Sequence, residues 1–214
     1  MVVSGMVFGS SLFRCTTTPS KSAAPFALPD LWPERRDEAR AQVGVLVYQG
    51  VTTAEIDDPV RKLADGLEAD VVHIGAAAEP VVGVEPVRTV HVTLTTSDHA
   101  ALRNDVLVIP GGLGWERLVD DIALMSWVAD ASKAAGGVLA ISTGSLILAS
   151  AGRLVGHAAT GHWLARDVLA ALGAQVHTGR TAQSEDHRTV TAAGAQSAIE
   201  AAAELAERVR WGPA

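Results

Sequence analysis

Apolar positions along the chain fall into short dense runs separated by stretches with helical spacing. Val43 to Tyr48, Asp70 to Ile74, Asp105 to Ile109 and Gly136 to Ile141 are brief and rich in Val, Ile, Leu and Gly. Runs of this kind suit strands of a parallel sheet covered on both faces. Between them the pattern turns helical. Thr52 and Thr53 are placed to cap a helix entered by Glu55, Asp57 and Asp58, acids that the helix dipole favours in the first turn. Pro59 is tolerated early in that helix, and Gly66 is expected to end it. Glu116 to Lys133 reads as one helix with Leu118, Ile122, Met125 and Ala129 on its apolar stripe, stopped by Gly136 or Gly137. His162 to Leu172 places Leu164, Val168 and Leu172 on one stripe and ends at Gly173. Gln196 to Val209 places Ile199, Ala202, Ala206 and Val209 on one face. Val81 to Leu94 has room for one or two short strands, and Ala158 to Thr160, Ala174 to Val176 and Thr189 to Ala192 for one each.

Strands alternating with helices predict an α/β fold: a doubly wound, mainly parallel sheet sandwiched by helices, with right-handed crossovers. The 214 residues are 48% hydrophobic and 19% charged, which suits one domain with a sizeable core. That domain is expected over residues 42–210. Residues 1–41 read as a flexible N-terminal extension, small and polar over Thr16 to Ala24 and then punctuated by Pro25, Pro29 and Pro33. Residues 211–214 form a tail. The apolar stretch from Met1 to Arg14 lacks the basic start of a signal peptide, and no segment reaches the ~18 apolar residues of a membrane span. A cytoplasmic protein without a membrane partner is expected. The net charge of −7, with no long basic run, disfavours nucleic acid. The single cysteine, Cys15, excludes an internal disulfide and any CxxC motif.

Ligands of such sheets bind beyond the carboxyl ends of the strands. Three suspicious clusters lie at predicted strand ends: Thr53 to Glu55, Pro110 to Gly112, and Ser142 to Gly144. Ser142 sits where a strand gives way to a helix, suited either to capping that helix or to holding a nucleophile beside backbone N–H groups. Ala140 to Gly144 approximates the small-x-Ser-x-Gly elbow, for which Asp167 and His187 would nominally complete a triad. Gly111 and Gly112 allow backbone N–H groups to approach a ligand closely, or simply turn the chain. Glu55 is a lone carboxylate after a buried strand, and His162 beside Trp163 is a candidate base. His73, His91, His99, His157 and His177 show no metal-ligand spacing. There is no Walker loop and no GxGxxG at the first turn, so neither metal nor cofactor is expected.

Taken together these pieces resemble the ThiJ/PfpI superfamily, related in fold to class I glutamine amidotransferases, from about Val43 to Val209. Val108 to Gly112 looks like its strand-Pro-Gly-Gly turn. Ile141 to Leu146, with Ala151-Gly152 and Leu154, resembles the Cys-Thr-Gly-Ser and Ala-Gly-Leu-Leu pattern of the isonitrile hydratase subgroup. Ala159 to Trp163 resembles its Ala-Thr-Thr-His-Trp, and Thr191 to Glu200 its Thr-Ala-Gly-Gly-Val-Ser ending. The resemblance implies a flavodoxin-like sheet, a homodimer and a small-molecule ligand or substrate. It implies a pocket where Ser142, Glu55 and Thr143 act while Gly111, Gly112 and His162 bind substrate or oxyanion.

Several positions depart from the pattern. Ser142 stands where the family has its elbow cysteine, Glu55 where isonitrile hydratases usually carry Asp, and Gly161 where a second Thr is usual. Ala193 and Ala195-Gln196 depart from Gly-Gly-Val-Ser. A thiol is readily lowered toward a thiolate, whereas a serine hydroxyl needs an activating base. Two functions follow. One is a hydro-lyase of the isonitrile hydratase type using Ser142 and Glu55, with the N–H groups of Gly112 and Thr143 binding developing charge. The other is a decayed small-molecule-binding or regulatory domain without turnover. Slow isonitrile hydration, or none, is expected.

Overall fold

The structure, a computed structural model, describes residues 40–211. Of the extension expected over residues 1–41, residues 1–39 lie outside them, as do residues 212–214 of the tail expected over 211–214, whereas Trp211 belongs to the last helix.

The dense apolar runs form the middle of a seven-stranded sheet. β1 (Gln42–Leu46) is followed by helix α1 (Ala54–Leu67) and then β2 (Asp70–Gly75), which pairs parallel to β1. A small antiparallel hairpin, β3 (Val81–Gly83) and β4 (Arg88–Val90), precedes β5 (Leu94–Thr95) at the sheet edge. The chain then crosses to the other side of β1 and adds β6 (Val106–Ile109) parallel to it. Helices α2 (Trp115–Val119) and α3 (Ile122–Ala134) lead to β7 (Gly137–Ile141), parallel to β6, and α4 (Gly144–Ser150) follows at once. A second small pair, β8 (Ala158–Ala159) and β9 (Gln175–Val176), brackets α5 (Arg166–Ala171). Finally β10 (Thr181–Gln183) and β11 (Thr189–Ala192) extend the sheet beside β7, and α6 (Ala195–Trp211) closes the chain.

The sheet order is β10-β11-β7-β6-β1-β2-β5, all parallel except β10. The order reverses between β1 and β6, and a crevice at such a switch point is where open α/β sheets bind ligands. β6 and β7 are buried along their whole length, as a central parallel strand requires. Leu46, Ile74, Leu107, Ile109, Leu139 and Ile141 fill the core with them. α1 and α6 pack on each other, while α3 and α4 form a second helical group on the sheet. Among the described residues, no helix is long and apolar enough to cross a membrane.

The expected helices needed correction. Glu116 to Lys133 is two helices, because Asp121 is extended (ψ 99°) and its Oδ1 accepts from the Leu124 N–H at 3.0 Å, starting α3 afresh. The break moves the stripe: Ile122 is 86% exposed, and Leu124, Trp127, Val128 and Ala131 are buried instead. His162 to Leu172 opens as a 3-10 turn over Trp163–Ala165 before α5, so Leu164 and Val168 face outward while Leu169 is buried. α1 runs past Gly66 and ends at Glu68 in the left-handed region. Thr53 stands at its N-cap without capping it; the hydroxyl donates instead to the carbonyls of Val84 and Pro86. α6 buries Ala202, Ala206 and Val209 as expected and Ile199 only partly. The edge strand β10 had no apolar run to announce it.

Candidate functional site

The junction of β7 and α4 is a tight elbow. Ser142 has φ 56°, in the left-handed region that a residue with a side chain enters only at a cost of ~1–3 kcal/mol. One long-range and one local bond hold it there. Its N–H donates to the carbonyl of Ala192 at 2.8 Å, and its own carbonyl accepts from the Ser145 hydroxyl at 2.7 Å. The helix-cap alternative is thereby set aside, since Thr143 occupies the N-cap position and makes no side-chain cap bond. α4 has only seven residues, so its dipole offers little to an anion.

Gly161 packs against this elbow. A Cβ there would lie 2.2 Å from the Ser145 Oγ and 2.9 Å from the Ser142 carbonyl oxygen. The Ser145 hydroxyl, bonded to the Ser142 carbonyl, thus fills the space that a side chain at 161 would need.

Glu55, on the first turn of α1, reaches under the Pro110-Gly111-Gly112 turn. Its Oε2 accepts from the Gly111 N–H at 2.6 Å, a short charge-assisted bond. The carboxyl is 6% exposed. Burial pushes its pKa up to about 7; the Gly111 N–H and the adjacent Ser142 hydroxyl pull it down, and the Glu85 charge adds to the rise. The carboxyl is therefore half protonated near neutrality, where one group serves as both acid and base. The next peptide unit is also tied: the Gly111 carbonyl accepts from the Thr52 N–H at 2.8 Å, and the Gly112 N–H donates to the Thr143 Oγ1 at 3.0 Å. The turn braces Glu55 to the elbow, with no room for a side chain at Gly111, whose Cβ would lie 2.7 Å from the Thr143 Oγ1. One expectation changes here. The Gly112 N–H, expected to bind an oxyanion, is already engaged by Thr143.

These residues form the floor of a cleft of about 710 Å³. Ser142, Thr143, Glu55, Gly112 and His162 all line it, and Gly111 lies behind Glu55. His162 is half-buried, and its Nδ1 accepts from the Leu164 N–H at 3.3 Å. In the neutral ring that bond puts the proton on Nε2. Leu113, Trp115, Leu146, Leu164 and Val168 supply an apolar wall, and Glu85 and Glu116 add carboxylates; among the described residues, no Lys or Arg takes part. Asp167 and His187 are exposed and do not line the cleft, so the hydrolase-like triad is excluded. Tyr48 was missed. Its hydroxyl donates to the Pro110 carbonyl at 3.0 Å from a buried position, and 62 residues separate the partners, beyond the reach of any local pattern.

Comparison with known proteins follows the same lines. The model of the DJ-1/PfpI family matches residues 41–208. The chain is 30% identical over 168 residues to an isonitrile hydratase of Pseudomonas putida, covering 78% of this chain and 72% of that one. Among solved structures, a ThiJ/PfpI family protein from Pseudomonas syringae matches with a TM-score of 0.70 at 28% identity, over 89% of this chain and 84% of that one. DJ-1 of Schizosaccharomyces pombe shares the fold, with a TM-score of 0.67 at 20% identity over 79% of this chain and 92% of that one.

Proposed function

The chain belongs to the DJ-1/PfpI family, and from that premise we propose that its cleft hydrates small uncharged isonitrile-like molecules. Glu55 moves the proton and Ser142 holds the water. The observation that carries this reading is the buried Glu55 carboxyl, with a pKa of about 7, beside the Ser142 hydroxyl.

The chemistry suits a carboxylic acid without a thiol. Protonated Glu55 delivers its proton to the terminal carbon of R–N≡C. The oxygen of a water held by Ser142 adds to that carbon, and a proton of that water returns to the Glu55 carboxylate. The resulting R–N=CH–OH tautomerises to the formamide R–NH–CHO, so one water is added in all. No oxyanion forms on this route, which fits a site whose Gly111 and Gly112 N–H groups are already engaged. His162, which lines the cleft with its proton on Nε2, donates to the nitrogen of R–N=CH–OH, which carries a lone pair only once the carbon has been hydrated. The carboxylates of Glu55, Glu85 and Glu116, with no Lys or Arg in the lining among the described residues, favour uncharged over anionic substrates.

A second reading, a pocket that binds without turnover, is favoured by the serine at the elbow position. Wild type, Ser142→Ala, Ser142→Cys and Glu55→Gln are to be compared on a panel of isonitriles, following the formamide. Slow wild-type turnover, lowered about tenfold by Ser142→Ala and abolished by Glu55→Gln, is the expected result. An isonitrile carrying a carboxylate should react more slowly than its neutral analogue. No product from wild type, with turnover restored by Ser142→Cys, would establish the binding-only reading.

A further inference from the structure

We infer that Tyr48 is a positioning residue for Glu55, acting through the single peptide unit between Pro110 and Gly111. The inference builds on the role proposed for Glu55, but its test reads the carboxyl directly and needs no substrate.

Tyr48 lies two residues past β1 and is 6% exposed. Burial, and then the nearby Glu55 charge, push its pKa well up, so the phenol remains a donor. Its hydroxyl donates to the Pro110 carbonyl at 3.0 Å. The Gly111 N–H at the other end of the same planar unit donates to the Glu55 Oε2 at 2.6 Å. Three elements thus meet in one line: tyrosine from the end of β1, peptide from the end of β6, carboxyl from α1. The bond at the carbonyl sets the tilt of the peptide plane and polarises its N–H, and bonds in such chains strengthen one another. The Thr52 N–H and the Thr143 hydroxyl hold only the following unit, between Gly111 and Gly112. The tilt of the unit that reaches Glu55 is therefore left to Tyr48.

The other groups facing the carboxyl are the Ser142 hydroxyl and the Glu85 carboxylate, with Glu116 and His162 lining the same cleft. None of them is hydrogen-bonded to the Pro110 carbonyl, which Tyr48 engages, so a change at Tyr48 isolates the relay. An N–H bond favours the ionised carboxylate. Weakening it raises the Glu55 midpoint, and strengthening it lowers the midpoint.

The test uses the full chain with carbon-13-labelled glutamate, Glu55→Gln identifying the signal. Tyr48→Phe is expected to raise the Glu55 midpoint by about half a unit, a roughly threefold change in the acid constant, and to move the Gly111 amide proton upfield. Tyr48 is the chain's one tyrosine, so global incorporation of 3-fluorotyrosine alters this hydroxyl alone. The better donor should shift both signals the opposite way. It also serves if Tyr48→Phe does not fold. Opposed shifts support the relay, and a residue that merely packs would produce none. An unchanged midpoint and an unchanged Gly111 amide under fluorotyrosine overturn it, whether or not the protein proves to hydrate isonitriles.

Discussion

Glu55 is where residue-scale chemistry has the largest consequence. Its pKa is about 7 in the folded chain against 4.5 in the open one, so between these values the native state binds the extra proton. Its contribution to stability is fully present below pH 4.5 and is lost as pH rises through 7, by on the order of 3 kcal/mol. Glu55→Gln keeps an oxygen for the Gly111 N–H and cannot ionise. Urea unfolding at pH 5.5 and 8.5 should show wild type weaker at the higher pH and the variant nearly level; parallel losses would contradict the buried-acid assignment. Ser142 and the paired glycines were legible in the sequence, since each belongs to a local pattern of strand, break and helix. The bonds that give them chemistry were not. The Gly111 N–H and Glu55 are 56 residues apart, and nothing near either one marks the other.

Elements behaved differently according to how their signals arise. Central strands were read closely because burial on both faces forces an unbroken apolar run. Helices were placed but misjudged at their ends, where a single polar side chain decides: Asp121 restarts α3 and His162 starts a 3-10 turn. The contact between the loop after β8 and the start of α4 has the same character. Restoring threonine at 161 would drive its Cβ into the Ser145 Oγ. Gly161→Thr should therefore lower stability by about 1–3 kcal/mol, and Ser145→Ala should recover part of that loss when the two are combined. Thermal unfolding of both single variants and the double variant measures the coupling; additive losses would mean the two positions do not share the space.

At the scale of the whole molecule, the cleft mouth carries exposed apolar side chains. Leu113 is 81% and Leu164 65% exposed, with Val168 beside them on the cleft wall. A homodimer covering this rim is proposed. Light scattering should give twice the chain mass, and Leu164→Glu should shift the population toward the monomer. A monomer at all concentrations in wild type would refute it.

Local composition alone determined the fold class, the strands that form the sheet centre, and the three strand ends that line the cleft. Each is dictated by hydrophobic periodicity or by residues with restricted backbone geometry, and both act over a few positions. Tertiary structure decided how those ends are joined. It placed Glu55 under Gly111, held Ser142 in a left-handed turn from Ala192, and engaged the Gly112 N–H with Thr143. Hydrogen bonds between distant residues and the burial that raises a carboxyl's pKa come into being only when β1, β6 and β7 lie side by side.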